Sequence, residues 1–174
     1  MSKQYDGSDI TDLNETFEGL PFFRKYIQYI EYKIYQILQE NPHPNLVTVY
    51  RVTETFVDIE LLTPVNELPD YDEALIVAAA HSVKEHLQGL GIFYMDWKSD
   101  NLGITDTGIY RLFDFDGSGY FRQGWIMKPM PYWSYRQAAE KGLTDPKEMD
   151  DYAFELNLNS VGVSVKNKSF NIQL

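Results

Sequence analysis

The chain has 174 residues, a formal net charge of −11 and a pI near 4.6, with 44% apolar and 15% aromatic residues. That composition folds around a core and fits one domain, while the acidic balance, with no basic cluster to offset it, argues against a nucleic-acid partner. The lack of Cys excludes disulfides, thiolate zinc sites and a cysteine nucleophile, and no apolar run reaches membrane-spanning length, so a soluble, cytoplasmic protein without a membrane partner is expected.

Residues 1–19 are polar and acidic and read as a lead-in. From 21 to 40, Phe23, Ile27, Ile30, Ile34 and Leu38 recur at helical spacing, which predicts one amphipathic helix ended by Pro42 and Pro44. The β-prone runs 46–52 and 55–62, separated by Thr53 and Glu54, predict an antiparallel pair. Asp70 as N-cap, with Glu73 three residues on, opens a second helix that Gly89 and Gly91 close. Two short apolar runs, 102–104 and 109–115, flank Thr105-Asp106-Thr107-Gly108 and predict a hairpin. The stretch 117–133 looks too irregular for a regular element, a helix is expected over 148–158, and a tail with alternating Val161, Val163 and Val165 follows.

The residues with chemical potential bracket that hairpin. Tyr94-Met95-Asp96-Trp97-Lys98-Ser99-Asp100-Asn101 precedes it and Phe113-Asp114-Phe115-Asp116-Gly117 follows. With the turn centred on Asp106 and Thr107, Asn101 faces Leu112, and Asp114 lies near Asn101 at the open end. An amide oxygen and a carboxylate placed so form half of a site for a hard cation such as Mg²⁺, which substrate phosphates complete. Asp96 would take a proton from an attacking hydroxyl or orient it, and Lys98 would neutralise charge on a moving phosphoryl group. Each residue also has a plainer reading, the Asp and Asn as turn formers and Lys98 as a solvated charge. His43, His81 and His86 lie apart from this set and are assigned no catalytic role.

Asp96, Lys98, Asn101 and Asp114 resemble the protein kinase catalytic loop, His-Arg-Asp-x-Lys-x-x-Asn, and its Asp-Phe-Gly metal motif. His43-Pro44-Asn45-Leu46-Val47 resembles the His-Pro-Asn-Ile-Val that leads into the family's fourth strand, and Ile59-Glu60-Leu61-Leu62 resembles the end of the fifth strand with its gatekeeper and hinge. Glu31 with Ile34, Tyr35 and Leu38 resembles the helix of the conserved ion-pairing glutamate. Ala139-Glu140 stands where Pro-Glu closes the activation segment, and Asp150-Asp151-Tyr152-Ala153-Phe154 resembles the start of the central helix. The resemblance runs from residue 26 to residue 158 and implies an α+β, protein-kinase-like fold in one domain, 1–174. Its parts would be the lead-in 1–19, a reduced N-lobe of a helix and short antiparallel sheet over 20–63, a truncated helical C-lobe with the catalytic loop over 64–158, and the tail 159–174. It implies catalytic roles for Asp96 and Lys98, nucleotide contacts from Glu31, Lys98, Glu60 and Leu62, metal ligation by Asn101 and Asp114, and ATP with Mg²⁺ as cofactors.

The departures from the family are as specific as the matches. No Gly-x-Gly-x-x-Gly and no Val-Ala-x-Lys precede Glu31, so the strand lysine is expected to be missing and Glu31 to stand without its partner, or as a surface carboxylate near Lys33 or Arg24. Lys25 is a substitute that no pattern supports. Tyr94-Met95 replaces His-Arg, and Asp116 replaces the motif's glycine, as a third metal ligand or as a turn residue. The family's last helices have no counterpart, so the aromatic residues Tyr120, Phe121, Trp125, Tyr132 and Trp133, the tail, a partner or a second copy would cover apolar surface. Two functions follow from the resemblance. One is a minimal phosphotransferase acting on protein Ser or Thr, and the other a pseudokinase that regulates or mimics a partner kinase. A small-molecule kinase of the aminoglycoside or choline type, with a similar Asp-to-Asn loop spacing, is a third and more distant one.

Overall fold

The computed structural model describes residues 16–121, 125–126 and 133–159. Within them the helix expected over 21–40 divides. A two-residue strand, β1 (Thr16–Phe17), turns through Glu18 and Gly19, at φ 50° and 83°, into a second strand, β2 (Leu20–Tyr26), and only α1 (Tyr29–Glu40) is helical. Pairing decides this, because β2 runs antiparallel along β4 (Phe56–Glu60) in continuous register from Phe22 opposite Glu60 to Tyr26 opposite Phe56. The apolar period over these seven residues fits either state, and a backbone ladder to a strand more than thirty residues away selects the extended one. β3 (Val49–Val52) lines the far side of β4, giving an antiparallel sheet in the order β1-β2-β4-β3.

Strand alternation then sorts the side chains of β2. Phe23 and Lys25 share a face with their cross-strand partners Ile59 and Val57, which belong to the core, while Arg24 faces the other way with Asp58. There Arg24 and Arg51 clamp the fully buried Asp58 carboxylate from both sides. α1 lies on the core face of the sheet through Ile34, Tyr35 and Leu38.

Below this layer, β5 (Thr63–Pro64) pairs with β7 (Leu102–Ile104), which pairs with β8 (Tyr110–Leu112). The hairpin loop is one residue longer than the sequence suggests. A turn closed from Gly108 N–H to Thr105 O is followed by Gly108 at φ 84°, the three-residue pattern with a bulge. The register accordingly shifts by one: Leu102 faces Leu112 and Asn101 falls opposite Phe113 rather than Leu112.

α2 (Glu73–Gly89) starts two residues later than expected, capped by Asp72, whose carboxylate accepts from Ala74 N–H and Leu75 N–H, while Asp70 only bonds Tyr71 N–H. β6 (Ile92–Phe93), β9 (Gly119–Phe121) and β10 (Trp125–Ile126) make a third small antiparallel sheet, with β9 and β10 inside a stretch expected to be irregular. α3 (Trp133–Glu140) and α4 (Pro146–Phe154), the latter capped by Asp145 and extended by a π turn over Glu155–Asn159, complete a mixed α and β architecture of three antiparallel sheets and four α-helices among the described residues. None of these helices is long and apolar enough to cross a membrane. The expectations for the lead-in up to residue 15, for Tyr132 and for the tail from 160 onward lie outside the described residues.

The largest fully buried side chains, Trp97, Tyr35, Tyr94, Phe115 and Phe154, belong to one hydrophobic core cluster. Tyr35 and Tyr94 each meet Phe115 edge to face, at 5.5 and 5.2 Å, and Trp97 meets Tyr94 and Phe154 at 4.7 and 5.2 Å. This aromatic stack is the floor under the residues with chemical potential.

Candidate active site

Glu31 does two jobs at once. As the third residue of α1 it closes a capping box, Oε2 accepting from Gln28 N–H at 3.3 Å, which fixes its side chain at the helix start. Its other oxygen, Oε1, receives the Lys25 ammonium at 2.8 Å. The expectation that Glu31 lacks a cationic partner is therefore corrected: Lys25 reaches it because β2 is a strand that points residue 25 into the protein, and Arg24, on the opposite face, is committed to Asp58. Glu31 is buried, not a surface carboxylate.

Lys25 also donates to Asp114 Oδ1 at 2.5 Å, across 89 residues of sequence. Burial acts to lower the Lys25 pKa, but the carboxylate charges of Asp114 and Glu31 outweigh it and hold the ammonium well above the ordinary lysine value. The Tyr35 hydroxyl is fully buried, and burial pushes its phenol pKa up, so it remains neutral beside this cluster. Asp114 adopts φ 62°, a left-handed conformation that costs a non-glycine residue energy and that the surroundings enforce. Phe113 on one side donates its N–H to Asn101 O and accepts from the Tyr94 hydroxyl at 2.6 Å, and Phe115 on the other is locked in the aromatic stack.

The loop before the hairpin is held just as closely. Met95 sits at φ 67°, with Asp96 N–H closing back on Tyr94 O at 2.8 Å in a γ-turn. The buried Asp150 of α4 stabilises this bend, Oδ1 accepting from Met95 N–H at 2.8 Å and from Trp97 Nε1–H at 2.7 Å. Burial pushes the Asp150 pKa up, opposed by these hydrogen bonds. A 3₁₀ turn over Ser99–Asn101 then swings Asn101 back, so that its Nδ2 donates to Asp96 O and Asp96 Oδ2, both at 2.9 Å, and Lys98 Nζ meets the same Oδ2 at 2.8 Å. Burial tends to lower the Lys98 pKa, but the bond to Asp96 and the charges of Asp96, Asp114 and Asp116 raise it. Among the described residues Asp96 Oδ1 has no hydrogen-bond partner, and Asn101, with Nδ2 engaged, has its amide oxygen left for a ligand.

Beside this cluster Phe23, Ile59, Leu61, Leu62, Pro64 and Phe113 line an apolar cavity of about 110 Å³, to which Glu60 also contributes. Leu62 lines this cavity, whereas Glu60 is engaged elsewhere, its Oε1 accepting from Thr48 N–H and from Arg111, both at 2.6 Å, and its N–H donating to Thr48 O at 2.9 Å. Ala139 and Glu140 occupy the exposed end of α3, and Asp116 stands half-buried in the turn after Phe115.

The sequence offers Lys25 only as a speculative substitute for the strand lysine, puts Phe23 on a helix, and gives no sign of the tether from Asp150. A signal existed for the first two: Phe23 and Lys25 alternate, as strand residues do, a short step before Glu31. No protein-family model matches the chain, and no curated protein matches it.

Proposed function

We propose that the chain is a small phosphotransferase of protein-kinase type, with a reduced N-lobe and a helical C-lobe, that binds ATP with Mg²⁺ and phosphorylates a Ser or Thr hydroxyl of a protein. The observation that carries this reading is Lys25 bridging Glu31 and Asp114 beside the bonded set Asp96, Lys98 and Asn101. Phosphoryl transfer asks little of a protein beyond positioning and charge neutralisation, and these six residues supply both.

The donor atoms suit a hard cation, since Asp114 offers carboxylate oxygens and Asn101 an amide oxygen. Bound there, Mg²⁺ would neutralise charge on the phosphates. Lys25, held by Glu31, exchanges its bond to Asp114 for a phosphate oxygen, and Lys98 faces the transferred group. Asp96 is kept in one orientation by Lys98 and Asn101, and its Oδ1 accepts the hydroxyl proton. The apolar cavity between Phe23 and Phe113, lined also by Leu61 and Leu62, takes a flat ring.

A second reading, a regulatory binding partner without turnover, is favoured by the direct Lys25–Asp114 bond, which ties together two groups that nucleotide binding separates. Thermal-shift titration with ATP and Mg²⁺ decides on nucleotide binding. The wild type should rise in midpoint and Asp114→Asn should not; no rise in either defeats both the nucleotide site and the phosphotransferase. A radiolabel transfer assay separates the two readings, because turnover that Asp96→Asn abolishes belongs only to an enzyme.

A further inference from the structure

The sequence of β2 does not decide which of its faces enters the protein. Phe22 and Phe23 are neighbours, and so are Arg24 and Lys25, so each face carries a phenylalanine followed two residues on by a cation. Burial does not separate the faces either, since Phe22 is buried on the outer face and Phe23 only half-buried on the core face. Slipping the strand by one residue against β4 exchanges the faces, and sends Arg24 instead of Lys25 toward Glu31 and Asp114. A strand whose two faces read alike specifies its register weakly, so the choice falls to a group outside it.

Asp58 is placed to make that choice. It lies fully buried on the central strand β4, directly opposite Arg24 on β2 and Arg51 on β3. A register shift in β3 between Val49 and Arg51 brings the second arginine into line. Arg24 meets the carboxylate as a fork, Nε on Oδ1 at 2.6 Å and Nη2 on Oδ2 at 3.0 Å, and Arg51 Nε adds a bond to Oδ2 at 2.8 Å. The Arg24 guanidinium also covers the Phe56 ring, 4.4 Å from its centroid. An ammonium has no planar fork to offer, so Lys25 is a poor substitute for Arg24 at this carboxylate. Buried ion pairs return little of their desolvation cost as stability, and their best-attested use is to fix register.

We propose that Asp58 is a positioning residue: by holding the Arg24 fork on the outer face it sets the register of β2, and so selects Lys25 over Arg24 for the cluster with Glu31 and Asp114. Its bearing on phosphoryl transfer rests on the function proposed above, because Asp58 acts there only through Lys25; its hold on the register does not.

The test is nuclear Overhauser NMR on the full, isotope-labelled chain without nucleotide, which reads the cross-strand neighbours of Arg24 and Lys25. The wild type should give one set of signals, with Arg24 opposite Asp58 and Lys25 opposite Val57. Asp58→Asn, of the same shape but neutral, should add a second set over residues 20–26, about 10% or more of the total, in which residues 24 and 25 have exchanged faces. Arg24→Lys keeps a cation for Asp58 but makes the two faces chemically alike, and should add the same second set. Asp58→Asn combined with Arg24→Gln leaves Lys25 as the strand's one cation for Glu31 and Asp114, and should return a single set with Lys25 opposite Val57. A single set in either Asp58→Asn or Arg24→Lys, at whatever cost in stability, makes Asp58 merely structural and overturns the proposal, as does a second set that survives Arg24→Gln. Should Asp58→Asn fail to fold, Arg24→Lys decides alone. A wild type that fails the ATP thermal shift removes the phosphotransferase reading and leaves these signals to decide on Asp58.

Discussion

Replacing Asp150 by Ala should destabilise the protein far more than replacing it by Asn, and the structure says why. Asp150 Oδ1 accepts from Met95 N–H and Trp97 Nε1–H, and Oδ2 accepts from Gln88 Nε2–H at 2.8 Å. Met95 and Trp97 are fully buried, so Asp150→Ala strands two donors that water does not reach. At about 1–3 kcal/mol for each of the two stranded donors, with Gln88 turning to solvent, the loss is about 2–6 kcal/mol. That is a large share of a typical domain stability of about 5–15 kcal/mol. Asn keeps a single oxygen in the Oδ1 position for both buried donors, and Gln88 keeps its second bond, from Nε2–H to Asp151 Oδ1 at 3.0 Å. Because burial already disfavours the Asp150 charge, the neutral side chain recovers part of what the weaker hydrogen bonds lose, and Asp150→Asn should cost about 1 kcal/mol. Urea denaturation of the three proteins, with equal slopes confirming a common unfolded state, reads these values directly. Equal losses in the two variants, or a cost below about 1 kcal/mol for Ala, would refute the assignment of Asp150 as the anchor of the Met95 bend.

Other consequences follow from the same coordinates. Lys25→Met strands the buried Glu31 carboxylate and should cost about 3 kcal/mol, of which adding Glu31→Gln should recover at least about 1 kcal/mol; additive losses would show that the pair is uncoupled. Gly103→Ala should destabilise by about 1–3 kcal/mol, because a Cβ there meets Leu62 Cβ at 2.7 Å and Thr63 O at 3.2 Å, and unchanged stability would mean that β5 yields freely. His43 accepts Asn45 N–H at Nδ1 and stacks on His86 at 4.8 Å, so the folded ring is neutral, and burial and His86 lower its pKa below the ordinary 6.5. Its folded pKa lies below the unfolded one, so the unfolded chain takes up the proton first. Stability is then retained above pH 6.5 and falls as pH drops from there toward the folded pKa. His43→Gln should flatten that slope in urea titrations, and an unaltered slope would exclude His43 as its source.

How legible the site was depended on sequence distance. Asp96, Lys98 and Asn101 sit within six residues, and one 3₁₀ turn is enough to bring them together, so their spacing announced them. The hairpin was legible for the same reason, and its register erred by one because Gly108 adopts the left-handed conformation and lengthens the loop. Asp150 matched a recognisable segment, yet nothing local tells that its carboxylate holds the bend at Met95, 55 residues away.

By itself the sequence settled the composition of the core, the existence of α1 and α2, the β3–β4 pair and the local loop around Asp96. Each rests on periodicity or turn chemistry within a few residues. Tertiary structure alone decided that 20–26 is a strand, and with it the place of Lys25. A seven-residue segment does not carry enough local preference to fix its own state, so a ladder to β4 fixed it, turned residue 25 inward and delivered an ammonium to carboxylates 6 and 89 residues away.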